Sequence, residues 1–424
     1  FFVGANLQKQ SPLRKALSLG MQILYSIAVR LIRCILFIAP ISGKTKQFVE
    51  GRKRIWDDLK NIPNDKEVIW IHCASLGEYE QGLPILHALK AREPESFYLI
   101  TFFSPSGYHA NKAQQIANLT TFLPWDYPSD VHRFVQCVKP TKVFIIKYEF
   151  WPNLLLELYS QKIPTFLIAG IFWPHQIFFK PWGGRFCKLL KSFSHIFVQN
   201  QSSKELLNEI GITKVSVSGD TRFDLVQQQK QDLPFIKSFI GERKCVVAGS
   251  TWPQDIAVLK DIIAQTPKDW CWLIAPHEIN DQRIRLLMNR LPPESQRYTK
   301  CEIKLLSKAP VLVLDTIGLL SSCYQYAQIA YVGGGMGTRG LHNILEPAAA
   351  GIPIVIGKNY TSFPEAVSLI KAGGVISISN AREAKKKLLS FIHDGNHRKE
   401  TGVINLHFIR ANLGATKKVL DILG

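Results

Sequence analysis

The chain has 424 residues, of which 46% are hydrophobic and 20% are charged. This composition excludes a disordered or fibrous protein, and the length favours two domains of roughly 150 to 200 residues. The 52 Lys and Arg residues outnumber the 33 Asp and Glu residues, which gives a formal net charge of +19. A field of that sign attracts phosphates, nucleic acids, acidic sugars or an anionic membrane surface without choosing among them.

The first pattern along the chain is an apolar run from Met21 to Ile41, interrupted by Arg30 and Arg33. About 20 apolar residues span a bilayer, but each arginine in mid-membrane costs roughly 2.5 to 3.5 kcal/mol. Three hypotheses stay open: a transmembrane anchor, an interfacial helix on the membrane, or a helix docked on the protein's own body. If the run spans, the basic residues that follow it place the body in the cytoplasm. The first Met is Met21, so we expect residues 1–20 to lie upstream of the true start.

Past residue 55, short apolar runs alternate with helical patterns, which is typical of parallel βαβ units. We predict an α/β chain with two doubly wound, Rossmann-like domains. Helices are expected over Glu80–Arg92 and Pro152–Gln161. The expected strands are Val68–Cys73, Phe97–Thr101, Lys142–Lys147, Pro164–Ala169 and His195–Gln199 in the first half, then Lys244–Ala248, Trp270–Ala275, Val311–Asp315, Ile329–Val332 and Pro353–Ile356 in the second.

The predicted boundaries follow from this alternation and from the polar stretch between its halves. Residues 1–54 are an amino-terminal extension with the membrane-anchor segment, 55–220 the first domain, 221–242 a hinge and 243–424 the second domain. The carboxyl-terminal helix is a candidate to pack back on the first domain. In such folds ligands lie at the carboxyl ends of the strands, so we expect a substrate cleft between the domains.

Acidic residues directly follow two strands of the first domain. Glu78 ends the block CASLGE, in which Gly77 permits a tight turn, and Glu149 lies in the block KYEFWPN. Because both strands end at one edge of the sheet, two carboxylates at equivalent positions favour a catalytic role for both. A carboxylate with a raised pKa can take a proton from a hydroxyl nucleophile. The alternative for Glu78 is a helix amino-terminal residue that favours the dipole.

Other loops have the same placement after a strand. Ser104, Ser106 and the backbone amides of TFFSPSG can hold a phosphate, or can form an ordinary turn that caps a helix. In the second domain, each of three loops is either part of a site or a plain strand-to-helix connection: Ala248–Thr251, Ala275–Glu278 and Asp315–Gly318.

The strongest signal is the glycine-rich segment Tyr331–Pro347, which reads YVGGGMGTRGLHNILEP. Glycines let backbone amides approach an anion closely, and both Arg339 and a helix beginning near Asn343 supply positive potential. Glu346 lies one helical turn further on, where it can accept hydrogen bonds from ribose hydroxyls. The spacing is not the dinucleotide fingerprint GxGxxG. We interpret the segment as a nucleotide-phosphate loop, with a purely structural glycine turn as the alternative.

Taken together, the blocks IWIHCASLGE, TFFSPSG, YEFWPNLL, SGDTRFD, AGSTW, APHEI, LDTIGLL and YVGGGMGTRGLHNILEPAAAGIPIVIG resemble the 3-deoxy-D-manno-oct-2-ulosonic acid (Kdo) transferases of lipopolysaccharide biosynthesis. The resemblance runs from about residue 22 to near the end of the chain. It implies a GT-B fold and an amino-terminal membrane anchor. It also implies transfer of Kdo from CMP-Kdo to the lipid A precursor, lipid IVA, with inversion and without a metal ion or other cofactor.

The same resemblance assigns roles residue by residue. Glu78 matches the general base, while Glu149 and Arg222 match positions that stabilise the transition state. The first domain then binds the acceptor and the second binds CMP-Kdo. Expected acceptor-side residues are Ser75, Gly77, Ser104 and Ser106; expected CMP contacts are Pro276, His277, Ile317, Gly318, Leu319, Asn343, Ile344, Leu345 and Glu346; the expected phosphate loop comprises Gly334, Gly335, Arg339 and Gly340.

Two positions depart from the family pattern. Arg222 stands where lysine is expected, which keeps the charge but changes the donor geometry. His277 stands where arginine is expected, so a phosphate contact there needs compensation by Arg283 or Arg339. Candidates for binding the phosphates of the acceptor are Lys112, Arg133, Lys180 and Arg185.

The implied partners are CMP-Kdo, an acylated and phosphorylated glucosamine disaccharide, and a membrane surface, but no nucleic acid. The implied location is the cytoplasmic face of the inner membrane of a Gram-negative cell. The eight cysteines agree with a reducing compartment, since they show no Cys-x-x-Cys pair or zinc spacing. The alternatives are another GT-B nucleotide-sugar enzyme, such as a UDP-sugar 2-epimerase, and a membrane-associated nucleic-acid-binding protein. No helix-turn-helix, zinc-finger or RNP motif supports the last of these.

Overall fold

The computed structural model describes residues 24–36, 43–105, 107–108, 116–181, 183–227 and 230–424. They divide into two compact units. The first unit comprises the described residues up to Leu225 together with Gly414–Gly424, and the second comprises Val226–Leu413. The stretch predicted as a hinge contains two short helices, Arg222–Val226 and Pro234–Ile240.

The first unit is built on a parallel sheet of seven strands in the order β3-β2-β1-β4-β5-β6-β7. All residues of the first two strands, β1 and β2, are buried, as a parallel sheet covered on both faces requires. The strands are β1 Val68–Cys73, β2 Phe97–Phe102, β3 Leu119–Phe122, β4 Pro140–Ile146, β5 Thr165–Gly170, β6 His195–Val198 and β7 Val215–Val217.

The second unit repeats this plan with another parallel sheet of seven strands, in the order β10-β11-β9-β8-β12-β13-β14. Its order reverses between β8 and β12, as that of the first sheet reverses between β1 and β4. The strands are β8 Lys244–Thr251, β9 Trp270–Pro276, β10 Gln296–Arg297, β11 Val311–Val313, β12 Ile329–Val332, β13 Ile354–Gly357 and β14 Val375–Ile378.

Helices connect the strands. The α-helices are α1 (residues 24–36), α2 Gly43–Lys53, α3 Ile55–Asp58, α4 Leu76–Arg92, α5 Pro128–Val138, α6 Pro152–Ser160, α7 Phe186–Leu190, α8 Gln201–Glu209, α9 Arg222–Val226, α10 Pro234–Ile240, α11 Pro253–Ala264, α12 Asp281–Met288, α13 Ile303–Leu306, α14 Leu320–Cys323, α15 Leu345–Ala349, α16 Pro364–Ala372, α17 Ala381–His393, α18 Gly395–Ala411 and α19 Ala415–Leu423. Short 3-10 helices lie at Leu59–Asn61, Ile177–Phe179, Gly183–Arg185, Tyr298–Lys300 and Tyr324–Tyr326.

The core of the first unit lies on both faces of its sheet. Alternate residues of β1 point to opposite faces, so Trp70 packs in one apolar cluster while Ile69 and Ile71 pack in another. The second cluster also takes Val419 of α19. Asp224 accepts hydrogen bonds from the backbone N–H groups of Gly414 and Thr416, both at 2.7 Å, which fixes the start of that helix. This anchoring explains why the end of the chain belongs to the first unit.

All ten expected strands are present; β1 and β12 have the predicted ends, and the ends of the others shift by at most three residues. Four strands were not predicted: β3, β7, β10 and β14. These are the four edge strands of the two sheets, and each carries partly exposed residues that interrupt its apolar pattern. The helix expected to begin at Glu80 begins at Leu76, because Ser75 and Glu78 form a capping box at its start.

Of the apolar run at 21 to 41, only residues 24–36 are described, and they form helix α1. In the part of the chain that the structure describes, no helix combines the length and the hydropathy needed to cross a bilayer.

Candidate active site

The first unit brings Glu78 and Glu149 to the place where its strand order reverses. Glu78 follows β1, Glu149 follows β4, and these two strands are neighbours in the sheet. In doubly wound sheets the crevice beyond the carboxyl ends of such strands is where ligands bind. The structure therefore places both predicted carboxylates at the carboxyl-terminal end of two neighbouring central strands of one sheet.

Glu78 lies in the first turn of α4 and is only 9% exposed. Its Oε2 accepts hydrogen bonds from Ser75 N at 2.9 Å and Ser75 Oγ at 3.3 Å. Burial and the charge of Glu149 raise the pKa of Glu78, against the opposite effects of His72, a backbone hydrogen bond and Lys147. The carboxylate is therefore both a helix cap and a buried group primed to accept a proton.

Glu149 is held by its neighbours. Trp151 Nε1 donates to Glu149 Oε2 at 2.7 Å, and His72 Nε2 lies 3.5 Å from the same oxygen without hydrogen-bond geometry. His72 belongs to β1 and is fully buried, with Nδ1 2.8 Å from Thr101 Oγ1. His72 is not among the predicted site residues, although a histidine in an otherwise apolar strand, one residue before its end, is an available signal.

Arg222 forms a two-pronged ion pair with Asp220, its Nε at 3.0 Å and Nη2 at 2.7 Å from Oδ2. Gln81 Nε2 donates to Asp220 Oδ1 at 3.1 Å. Burial raises the pKa of Asp220, but the charge and hydrogen bonds of Arg222 outweigh it and hold that pKa below its ordinary value. Arg222 and Glu78 both act on the pKa of Tyr148, with opposite signs, so the three predicted catalytic residues share one neighbourhood.

The predicted acceptor-side loops meet at the same edge. Ser104 N donates to Ala74 O at 2.8 Å, which joins TFFSPSG to CASLGE. Gly107 is required there, because a Cβ would lie 2.3 Å from the ring of Phe102. Ser106 lies outside the described residues. The prediction of a tight turn at Gly77 is wrong, because Gly77 lies in the first turn of α4. The chain enters the helix at Ser75, the N-cap residue, whose backbone is extended.

Lys147 is a further charged residue at this edge that the sequence analysis left without a role. It directly follows β4 with a φ of +69°, a left-handed conformation that is unusual outside glycine. Its charge lowers the pKa of Glu78 and so favours the ionised carboxylate. A lysine with a left-handed backbone, whose charge acts on a buried carboxylate, is typical of active sites.

In the second unit, the glycine-rich segment follows β12, beside the switch point of that sheet. Asp255 holds the segment in place although it was not predicted: Oδ2 accepts from Trp252 N at 2.8 Å and Gly334 N at 3.0 Å, and Oδ1 accepts from Tyr331 Oη at 2.7 Å. This fully buried carboxylate therefore ties the AGSTW loop to the glycine-rich loop. The helix expected near Asn343 begins two residues later, at Leu345, because Asn343 Oδ1 caps the Leu345 N–H at 3.0 Å.

Replacing Gly334 by alanine is expected to lower the free energy of unfolding by about 2 kcal/mol. Gly334 has a φ of +93°, and a Cβ there would lie 2.1 Å from Gly340 O. Gly337 is the matched control, since its Cβ would approach nothing closer than 3.8 Å. Chemical denaturation of both variants measures the difference, and equal stabilities would contradict the strained loop.

Aromatic rings cluster around His277, one of the predicted CMP contacts. The ring of Trp252 stacks on His277 at 4.6 Å, and the guanidinium of Arg339 lies 4.5 Å from the centre of the Trp252 ring. Burial and His277 lower the pKa of His342 to about 4, which keeps this ring neutral. Both arginines expected to compensate for His277 pair with Glu278, Arg283 at 2.5 Å and Arg339 at 3.9 Å. Because Arg339 also lies over the Trp252 ring that stacks on His277, it is the arginine placed beside this histidine.

The other predicted donor contacts differ in what they can present to a ligand. Ile344 and Leu345 are buried, whereas Ile317 is 88% exposed. Gly318, the next residue after Ile317, has a φ of +96°. Pro276 lines a cavity of about 340 Å³, together with Thr251, Trp252, Glu278 and Arg283. Within the described ranges no group of three or more His, Cys, Asp or Glu could hold a metal ion.

The sequence of the chain is similar to those of known proteins. Residues 49–225 match the family model described as 3-deoxy-D-manno-octulosonic-acid transferase (kdotransferase), and this range contains Glu78, Glu149 and Arg222. The chain is 26% identical over 372 residues to a 3-deoxy-D-manno-octulosonic acid transferase from Haemophilus influenzae, covering 84% of this chain and 86% of the relative. The chain is therefore similar to Kdo transferases over most of its length, and residues 49–225 match their family model.

A second relative agrees with this assignment. The 3-deoxy-D-manno-octulosonic acid transferase of Aquifex aeolicus is 28% identical over 341 residues, or 78% of this chain and 88% of that protein. Among solved structures, the UDP-GlcNAc 2-epimerase of Neisseria meningitidis bound to UDP-GlcNAc covers 84% of this chain and 99% of its own, with a TM-score of 0.57 at 17% identity. That likeness shows a shared fold, whereas the similarity in sequence is to the transferases.

Proposed function

We propose that this protein transfers Kdo from CMP-Kdo to the lipid A precursor, an acylated and phosphorylated glucosamine disaccharide. The observation that carries the proposal is Glu78, a buried carboxylate with a raised pKa at the switch point of the first sheet. In this GT-B type of enzyme the first unit binds the acceptor and the second binds the donor. The proposed reaction needs no metal ion or other cofactor, and CMP-Kdo is a co-substrate.

The proposed chemistry is a single displacement. Glu78 takes the proton of an acceptor hydroxyl while that oxygen attacks the anomeric carbon of Kdo, and the bond to CMP breaks with its electron pair on the CMP phosphate. Attack opposite the leaving group inverts the anomeric carbon. Glu149 and Arg222 stabilise the charges that develop, and Lys147 keeps part of the Glu78 population ionised.

The donor side follows from the second unit. The backbone amides around Gly334, Gly335 and Gly340 approach the CMP phosphate, and Arg339 supplies a positive charge. Glu346 accepts hydrogen bonds from the ribose. His277 stacks on Trp252 beside Arg339, so we assign the phosphate charge to Arg339 and a packing role to His277.

The rate of transfer is expected to rise with pH through the pKa of Glu78. Only the ionised carboxylate accepts a proton, and burial together with Glu149 raises that pKa above the ordinary value for glutamate. A pH profile of kcat under saturating substrates measures the acid limb. Its midpoint should lie above about 4.3, the pKa of an unperturbed glutamate. A midpoint at or below that value would contradict the assignment of Glu78 as the base.

We further propose that α1 lies on the cytoplasmic face of the inner membrane. Polar side chains turn it toward the body: Tyr25 Oη donates to Asp126 Oδ2 at 2.9 Å, and Arg33 Nη1 to Asp130 Oδ2 at 2.7 Å. Apolar side chains point the other way, and those exposed by 48% to 65% are Leu24, Ile27, Leu31, Ile32 and Ile35. A helix with its apolar face outward suits burial in a lipid interface, where an acylated acceptor resides.

The double substitution Leu31→Glu and Ile35→Glu is expected to weaken binding to anionic phospholipid vesicles by about tenfold or more. Both side chains are more than half exposed on one face of α1, at 57% and 62%. Leu305→Glu is the control, since Leu305 is an exposed leucine of α13, at 45%, in the second unit. Vesicle co-sedimentation measures the effect. Equal binding by the double variant and wild type would remove α1 as the membrane contact.

The proposed function is tested by incubating the protein with CMP-Kdo, generated in situ, and the lipid A precursor, followed by mass measurement of the lipid. A parallel incubation with UDP-GlcNAc tests the epimerase alternative. Product in the second incubation, with none in the first, would replace the proposed function by that alternative.

A further inference from the structure

Arg52 is a buried cation that the proposed chemistry does not use. It lies in the last turn of α2 and is only 5% exposed, yet no Asp or Glu among the described residues forms an ion pair with it. Burial lowers the pKa of Arg52 to about 9, so the guanidinium is still charged at neutral pH. A buried charge without an opposite charge is costly, so a second group is expected to complete this environment.

The protein satisfies Arg52 only in part. Nη1 donates to Phe48 O and Nη2 to Phe103 O, both at 3.1 Å, while Nε has no hydrogen-bond partner among the described residues. The guanidinium lies 3.7 Å from the ring centre of Phe48 and 5.2 Å from that of Trp125. Aromatic faces stabilise a cation but do not neutralise it. This environment therefore holds a positive charge ready for an anion.

A hollow of about 100 Å³ adjoins Arg52. Arg33 and Lys53 also line it, against a single carboxylate, that of Asp130. A hollow of this size has room for a group of a few heavy atoms. A phosphate group matches both the charge and the size, and arginine forks bind phosphate oxygens well.

We propose that this hollow binds the phosphate group of a membrane lipid. Arg33, which lines the hollow, belongs to α1, and its neighbours Ile32 and Ile35 are exposed by 51% and 62% on the apolar face. A lipid whose chains contact that face has its headgroup phosphate near the polar side of the same helix. The lipid source of the phosphate rests on the proposed membrane contact, whereas phosphate binding at Arg52 does not.

The first test titrates the full chain, in neutral detergent, with inorganic phosphate at constant ionic strength. Wild type is expected to bind one phosphate, and Arg52→Gln to bind it at least about tenfold more weakly. Arg54→Gln is the matched control, because it removes the same charge from an exposed residue two positions away. Phosphate affinity in a folded Arg52→Gln variant equal to that of wild type would overturn the proposal.

A second variant keeps the test decisive if Arg52→Gln does not fold. Arg33→Gln removes a partly exposed arginine from the same hollow, and it is expected to weaken phosphate binding several-fold. A further single variant, Arg52→Lys, retains the charge but not the planar fork of the guanidinium. If Arg33→Gln and Arg52→Lys each bind phosphate as tightly as wild type, the proposed site is overturned.

Vesicles distinguish a lipid phosphate from a free one. Wild type is expected to prefer vesicles with phosphatidic acid, a phosphomonoester, over vesicles of equal charge with phosphatidylglycerol, and Arg52→Gln is expected to lose this preference. Phosphate binding without the preference would overturn the lipid source. Absence of Kdo transfer by a wild-type protein that binds phosphate would refute the proposed function and leave this site standing.

Discussion

Replacing Glu78 by glutamine is expected to lower the rate of Kdo transfer by about 10²- to 10⁴-fold while leaving CMP affinity unchanged. Glutamine preserves the shape and an acceptor oxygen for the Ser75 N–H, which lies 2.9 Å from Oε2, but it cannot take a proton. CMP binding is assigned to the second unit, whereas Glu78 belongs to the first. Single-turnover transfer and calorimetry with CMP measure the two effects separately.

Glu95→Gln is the matched control for this experiment, because it removes an exposed carboxylate from the same unit. Its rate should equal that of wild type. A Glu78→Gln variant that transfers Kdo at the wild-type rate would leave Glu78 as a helix cap only, the alternative that its capping box with Ser75 already fulfils. Loss of CMP binding in this variant would instead indicate a structural role.

Replacing Arg222 by alanine is expected to lower the free energy of unfolding by about 3 kcal/mol. Asp220 is 8% exposed, and the substitution leaves its carboxylate buried without the two side-chain N–H groups that now donate to Oδ2. Arg222→Lys should recover part of the loss, because lysine keeps the charge but cannot form both hydrogen bonds. Urea denaturation of the two variants and wild type measures the difference.

A double-mutant cycle with Asp220→Asn measures how much of this loss of stability comes from the ion pair between Arg222 and Asp220. The pKa of Asp220 is depressed, so its ionised form contributes stability above the unfolded pKa of about 3.9. That contribution is lost as the pH falls through the folded pKa. The gap between wild type and Arg222→Ala should therefore shrink in acid, and a gap independent of pH would contradict the ion pair as its source.

The sequence predicts the centre of each sheet better than its edges. Central strands such as β1 are wholly buried and read as unbroken apolar runs, so both the strand and the loop after it can be located. The four missed strands lie at the edges, where partly exposed residues break the run. Because Glu78 and Glu149 follow central strands, the candidate site was within reach of sequence reasoning.

What the sequence could not supply are contacts between distant segments. Asp255 is 79 residues from Gly334, and Arg52 is 51 residues from Phe103, so no local pattern connects either pair. Nor does the sequence show that His72 lies beside Glu149, since the pairing of β1 with β4 creates that arrangement. The sequence therefore locates the candidate catalytic groups, and the sheet topology brings distant neighbours such as His72 to them.

The most direct measurement of the central claim is the mass of the lipid product. Wild-type protein is incubated with the lipid A precursor and with CMP-Kdo supplied continuously by its synthesising enzyme, and Glu78→Gln is treated in parallel. We expect the wild-type product to gain the mass of one or more Kdo residues, and the variant to give none in the same time. No mass gain with wild type, while CMP-Kdo is demonstrably present, would contradict the proposed function.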